Sequence, residues 1–290
     1  MTSPKLPWIE AILSGFRLVG RRPAAALCWA LVFALAGTIM GGVQVWAWRE
    51  LQAGSGLAAT ANRLIVTSLP LNVLTLALVG AAIMRAEIRP DDRFAGLPRF
   101  GGQELRLLVF VLPLLTLSVV VSALIGVALS EVSHGAISFP SSLYALTRLT
   151  VLVLILLGAR LVLAVPMTLA ERRFGIRRAI GLSRGLYGRL VTILVATLLL
   201  STAIEVAGSY ARDLLAVALG ADLAPPLLRS PSLSVALDTA FGPVAMSLRF
   251  LGAAIHILAL AVQVAPIAWA YRWLASEATQ RSAASDRPAT

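Results

Sequence analysis

The sequence predicts an all-α, polytopic membrane protein with six transmembrane helices and amphipathic helices on its cytoplasmic surface. The first observation is the composition: 58% of the 290 residues are hydrophobic and only 13% are charged, whereas soluble domains average roughly 45–50% apolar and 25% charged residues. The second is that the apolar residues form runs of about 20, the length that a helix needs to cross a bilayer. The third is that the arginines lie mainly between those runs.

Six apolar segments satisfy this length criterion. Prolines lie inside four of them, and a membrane helix tolerates proline because neighbouring helices satisfy the freed carbonyl groups. The six segments form one membrane domain over residues 1–275, and the polar segment 276–290 predicts a disordered cytoplasmic tail. The predicted spans are residues 24–48, 64–84, 107–130, 149–170, 190–210 and 243–271.

The distribution of basic residues predicts the orientation of the chain. Cytoplasmic flanks of membrane helices carry an excess of Lys and Arg. Of the 25 Lys and Arg residues, 18 lie in one set of flanks and only 6 in the opposite set. The richer set includes both terminal segments, so we expect the N-terminus and the C-terminus to be cytoplasmic.

The segment after the fourth predicted span carries six arginines that only Glu171 opposes. From Ile176 to Leu190, apolar or small residues recur at helical spacing on one side and arginines occupy the other. This pattern predicts an amphipathic helix on the cytoplasmic surface, with its arginines among anionic headgroups. The candidate headgroup-binding residues are Arg172, Arg173, Arg177, Arg178, Arg184 and Arg189.

The N-terminal segment before the first span shows a similar pattern and predicts a second surface helix. A weaker version precedes the third span. In the N-terminal segment one face carries Trp8, Ile9, Ile12, Phe16 and Val19, and the other carries Glu10, Ser14, Arg17 and Arg21.

The first span contains a pair of glycines four residues apart, Gly37 and Gly41. Glycines at this spacing allow two membrane helices to approach closely. We interpret the pair as a contact inside the chain rather than as a dimer interface.

The stretch from Arg160 to Leu190 also resembles a known family. Arg160, Pro166, Glu171 and the segment "RRAIGLSRGLYGRL" resemble the membrane domain found beside bacterial glycerophosphoryl diester phosphodiesterases, and related six-span inner-membrane proteins. The resemblance implies a multi-pass protein of the bacterial cytoplasmic membrane. We do not expect phosphodiesterase activity, because the chain carries no phosphodiesterase barrel and its two histidines, His134 and His256, lie in a predicted loop and a predicted span.

Several polar residues lie inside the predicted spans, where they are costly unless they are paired or used. Arg249, His256 and Gln263 are spaced by seven residues and share one face of the sixth span; they either line a polar pathway or hydrogen-bond neighbouring helices. Arg160 in the fourth span either extends its head to the interface or pairs with a neighbour. Glu205 lies in the fifth span, where a nearby arginine can neutralise its carboxylate.

These observations predict a non-enzymatic integral membrane protein with a lipid-interacting, envelope accessory or scaffold role. Its expected partners are anionic phospholipid and, in one version, a membrane protein; nucleic acid is not expected, because the basic residues form no continuous face. No catalytic or metal-binding constellation is visible, and Cys28 is the single cysteine, so no cofactor or metal is expected. The alternative is a small transporter or permease subunit using the polar residues of spans four to six.

Overall fold

The computed structural model describes residues 6–54, 57–109, 159, 161–171, 175–183, 185–220 and 232–285. Within these ranges the regular secondary structure is helical and contains no strand. Residues 102–109 are helical and are called the 102–109 segment. The other helices are α1 (Trp8–Arg21), α2 (Pro23–Gln52), α3 (Leu57–Ile88), α4 (Ala164–Glu171), α5 (Ile176–Leu182), α6 (Tyr187–Ala218), α7 (Leu233–Phe241) and α8 (Pro243–Ser285).

Four helical stretches in the described part of the chain are long and apolar enough to cross a membrane, and they indicate a multi-pass membrane protein. They coincide with the first, second, fifth and sixth predicted spans. The third predicted span lies outside the described residues beyond position 109, and the fourth is described only at 159 and 161–170; the count of six spans stays a prediction. The four stretches are Pro23–Gln52, Pro70–Ile88, Tyr187–Ala218 and Leu233–Gln280.

Helix α8 is the centre of the bundle. It packs against α1, α2, α3 and α6. Its inner positions are small, with Ala261, Ala265 and Ala268 fully buried. Small side chains let neighbouring helix backbones approach closely, which is how membrane helices gain packing energy.

Helix α2 lies at the periphery of the described bundle and α3 at its interior, as the buried shares of their apolar stretches show. Leu27, Leu31, Leu35 and Ile39 of α2 recur every four residues and are all about half exposed or more. Residues four apart share one face of a helix. In a bilayer this stripe would contact lipid chains, which explains why large apolar side chains remain uncovered.

Helix α1 packs on α8 through a different face from the apolar face that helical periodicity predicted. Ala11, Ser14, Gly15 and Leu18 are its buried residues, although Ser14 was predicted on the polar face. The large residues of the predicted apolar face point away from the bundle in part, with Trp8 46%, Ile9 55% and Phe16 36% exposed. The helix thus has three faces: a packed face of mostly small residues, a face of large apolar residues, and a charged face. Its location on the membrane surface stays a prediction.

A break divides the arginine-rich surface helix that was predicted from Ile176 to Leu190. Helix α5 ends at Leu182 and α6 begins at Tyr187. Between them Gly185 has a φ of 77°, in the left-handed region that glycine enters without steric cost. The prediction of one continuous helix is therefore corrected to two helices joined by a glycine turn.

Helix α8 also extends further than predicted. It continues to Ser285, so the predicted disordered tail of 276–290 is corrected for residues 276–285. Ala, Glu, Gln and Arg in this part are good helix formers. Extending a helix that already exists avoids the unfavourable nucleation step.

Candidate functional site

The loop that follows α3 is held in place by buried polar contacts. Arg85, near the end of α3, forms an ion pair with Glu104 of the 102–109 segment, and both side chains are 6% exposed. The Nε of Arg85 donates to the carbonyl of Ala95 at 3.2 Å, and a terminal nitrogen donates to that of Leu97 at 2.9 Å. The indole N–H of Trp29 donates to Gly96 at 2.6 Å. Residues 89–101, called the α3 loop, are therefore attached to both α3 and α2.

Arg22 attaches the junction of α1 and α2 to the same loop. Its guanidinium donates to the carbonyls of Arg89 at 3.1 Å, Pro90 at 2.6 Å and Asp92 at 2.9 Å. A guanidinium has five N–H donors in one plane and so suits a cluster of carbonyl groups. Pro23 follows directly as the first residue of α2, where a missing N–H costs nothing. From the sequence, Arg22 was predicted only as one of the basic residues that flank the first span, and its contacts with the loop were not predicted.

Glu87 connects three helices through its carboxylate. Its side chain is 1% exposed; a terminal nitrogen of Arg272 lies 2.9 Å from Oε1 and one of Arg21 lies 3.6 Å from Oε2. Arg272 also donates to the Glu87 carbonyl at 2.6 Å. Among the described residues, no donor reaches either carboxylate oxygen with hydrogen-bond geometry, so these contacts are ion pairs. Sequence reasoning missed Glu87; an acid directly after an apolar run, between Arg85 and Arg89, was the available signal.

A pocket of about 420 Å³ opens between the end of α3, the α3 loop and the 102–109 segment, and we call it the arginine pocket. Its wall includes exposed Phe100, as well as Gly101 and Gly102, where the α3 loop meets the 102–109 segment. From the sequence, the basic residues of this pocket predicted only the orientation of the chain in the membrane. The charged lining residues are Arg85, Arg89, Arg99, Arg106, Asp92 and Glu104.

The predicted headgroup-binding arginines are described in part. Arg177 and Arg178 are exposed on α5, and Arg178 lies 3.0 Å from Oε1 of Glu171 with its own side chain 68% exposed. Arg189 is half-buried and lines a pocket of about 500 Å³ beside the N-terminal segment. The other three headgroup candidates, Arg172, Arg173 and Arg184, lie outside the described residues, as does Arg160, which was predicted as an intramembrane polar residue.

Two of the predicted intramembrane residues meet. Nδ1 of His256 on α8 lies 3.0 Å from Oε1 of Glu205 on α6, and the His256 ring centroid is 4.7 Å from that of Phe33 on α2. A pocket of about 370 Å³ beside them is also lined by Arg212. Sequence reasoning named Glu205 and His256 but proposed an arginine as the partner of Glu205.

Arg249 faces α2 instead of this pair. A Cβ added to Gly41 would lie 2.4 Å from a guanidinium nitrogen of Arg249, and the guanidinium carbon is 5.7 Å from the ring centroid of Phe241, a cation–π distance. The Gly37 and Gly41 pair, interpreted as a site of close helix contact, thus leaves space for an arginine head. Gln263 is half-buried on α8; within the described ranges no hydrogen bond connects it to Arg249 or His256.

Comparison of the chain with protein-family models, with curated proteins and with solved structures gives no match. The family resemblance of the Arg160 to Leu190 stretch therefore remains a prediction from the sequence. In the part of the chain that the structure describes, no group of three or more His, Cys, Asp or Glu side chains could hold a metal ion.

Proposed function

We propose that this protein is a non-enzymatic accessory or scaffold protein of the bacterial cytoplasmic membrane that binds anionic phospholipid at its cytoplasmic side. The observation that carries the proposal is the outward face of α5 and of the start of α6. There Arg177 and Arg178 are exposed, next to Ile176 and Tyr187, which are 40% and 41% exposed. Positive and apolar side chains are uncovered together at the end of a membrane helix.

This combination suits the boundary between lipid headgroups and acyl chains. Apolar side chains enter the boundary, and arginines extend to the phosphates. Each basic residue close to an anionic surface contributes about 1 kcal/mol of attraction. Ala179 on α5 and Ser183 directly after it are fully covered, so the opposite side of α5, with its arginines, faces outward. Six spans, two cytoplasmic termini and a membrane-protein partner belong to the same proposal.

Lipid retention should depend on the α5 arginines. We expect Arg177→Gln/Arg178→Gln to lose most of the anionic phospholipid that the detergent-purified protein retains, because two headgroup contacts disappear. Native mass spectrometry measures the retained lipid directly. The matched control is Arg49→Gln/Arg63→Gln, which removes the same charge from the predicted external side. Equal lipid retention in both double variants would leave the α5 arginines with a role in orientation only.

The contact between Glu205 and His256 favours one alternative, a small transporter or permease subunit. Ionisable residues that pair inside a membrane bundle are common in proton relays, and these two line a pocket. The accessory proposal instead requires only that they join α6 to α8.

Proton flux separates these two functions. In proteoliposomes containing a pH-sensitive dye, the accessory role predicts the same proton flux for wild type, for Glu205→Gln and for empty vesicles. The transporter predicts a wild-type flux that Glu205→Gln abolishes and that the control Asp213→Asn, on the same helix, preserves. A flux of that second kind would replace the accessory proposal.

A further inference from the structure

We infer that the arginine pocket binds the phosphate-bearing headgroup of an anionic phospholipid. The inference rests on the proposed contact with anionic lipid, and it adds a specific site at the end of α3 to the proposed contact at α5. The residues that form it had no predicted binding role.

The charge of the pocket selects an anion. Arg85 and Glu104 neutralise each other in a buried ion pair. Among the other charged lining residues, Arg89 and Arg99 outnumber Asp92, which gives these three side chains a net charge of +1. The Oδ1 of Asp92 accepts the backbone N–H of Phe94 at 2.9 Å, which stabilises the turn of the loop.

The walls of the pocket are held in place before any ligand arrives. Arg85 and Trp29 hold the carbonyls of residues 95–97, and Arg22 holds those of Arg89, Pro90 and Asp92. Arg99 donates to the carbonyl of Phe94 at 2.7 Å. A site that is already ordered loses little entropy when it binds.

The size and the donor groups suit a phosphate. The volume of about 420 Å³ lies within the roughly 300–1,000 Å³ of small-molecule sites. Guanidinium groups bind phosphate oxygens in pairs, with geometry that ammonium groups lack. Gly101 and Gly102 at the rim are exposed and let a ligand approach the backbone.

The surroundings of the pocket favour a lipid over a soluble phosphate compound. Phe94 is 65% exposed, Phe100 72%, Leu105 56% and Val109 57%. Phe100 lines the pocket, and the other three side chains lie on the same α3 loop and 102–109 segment. Together they would insert among acyl chains while the arginines hold the headgroup.

The test measures the binding of dihexanoyl-phosphatidylglycerol and of glycerol 3-phosphate to the full chain in detergent. We expect Arg89→Gln/Arg99→Gln to bind the short-chain lipid at least about tenfold more weakly, since each charge-assisted contact is worth roughly a factor of ten. The control Arg17→Gln/Arg93→Gln removes two exposed arginines outside the pocket lining and should bind as wild type does. Gln103→Glu, which adds an acid to the pocket and removes no arginine, should also weaken binding.

The outcomes separate this inference from the proposed function. Wild-type affinity in both pocket variants overturns the site, and glycerol 3-phosphate binding as tightly as the lipid overturns its assignment to phospholipid. If Arg177→Gln/Arg178→Gln loses lipid and the pocket variants do not, the proposed function stands without this site. If only the pocket variants lose it, the site stands and the role of α5 fails.

Discussion

Replacing Arg85 with methionine is expected to destabilise the folded protein by about 3–5 kcal/mol, the cost of removing one partner from a buried ion pair. Glu104 would be left 6% exposed without its cation. The carbonyls of Ala95 and Leu97 would lose their donor as well.

The free energy of unfolding in detergent micelles, measured by chemical denaturation, tests this expectation. The double variant Arg85→Met/Glu104→Leu removes both charges and should recover part of the loss, because an apolar pair can replace a buried ion pair at little cost. Arg93→Gln, an exposed change in the same loop, is the control. Wild-type stability in Arg85→Met would contradict the buried pair.

Gly15→Ala is the second large expected effect. A Cβ at this position would lie 2.5 Å from the Cα of Val262 and 2.6 Å from the carbonyl oxygen of Ala261. Both are backbone atoms of α8, so a side-chain movement cannot relieve the clash. We expect α1 to shift from α8 at a cost of about 1–3 kcal/mol, the usual range for overpacking.

Gly20→Ala is a matched control on the same helix. A Cβ there meets no heavy atom within 4 Å, and alanine favours a helix over glycine by about 0.8–1 kcal/mol. The two substitutions should therefore change the free energy of unfolding in opposite directions. Two equal, stabilising changes would mean that α1 does not pack closely on α8.

The sequence predicted which residues of the candidate sites are chemically unusual, but not how they combine. An arginine, a histidine and an acid inside apolar runs are visible as costly residues, and so Arg249, His256 and Glu205 were identified. Helical spacing suggested that Arg249 and His256 act on one face. The structure instead places Glu205 against His256 and Arg249 against Gly41, because the partners come from other helices.

The predicted surface helices show a similar division. Periodicity found the arginines of α5 and the apolar residues of α1, since both depend only on spacing along one helix. It did not identify the buried role of Ser14 or Gly15, because a small residue is packed or exposed according to what lies opposite it. Gly185 lies in the turn that separates α5 from α6, and helical periodicity in the sequence does not predict such a turn.

By itself, the sequence determined the class of the protein: long apolar runs must form helices in a bilayer, where every backbone polar group needs an internal partner. Run length and composition are local properties, and they predicted the four stretches that the described structure contains. The tertiary structure alone decided that Arg21 and Arg272 meet Glu87, that Arg85 meets Glu104, and that a pocket forms beside them. These contacts join residues far apart in the chain, and they depend on the packing of helix faces, which no local pattern encodes.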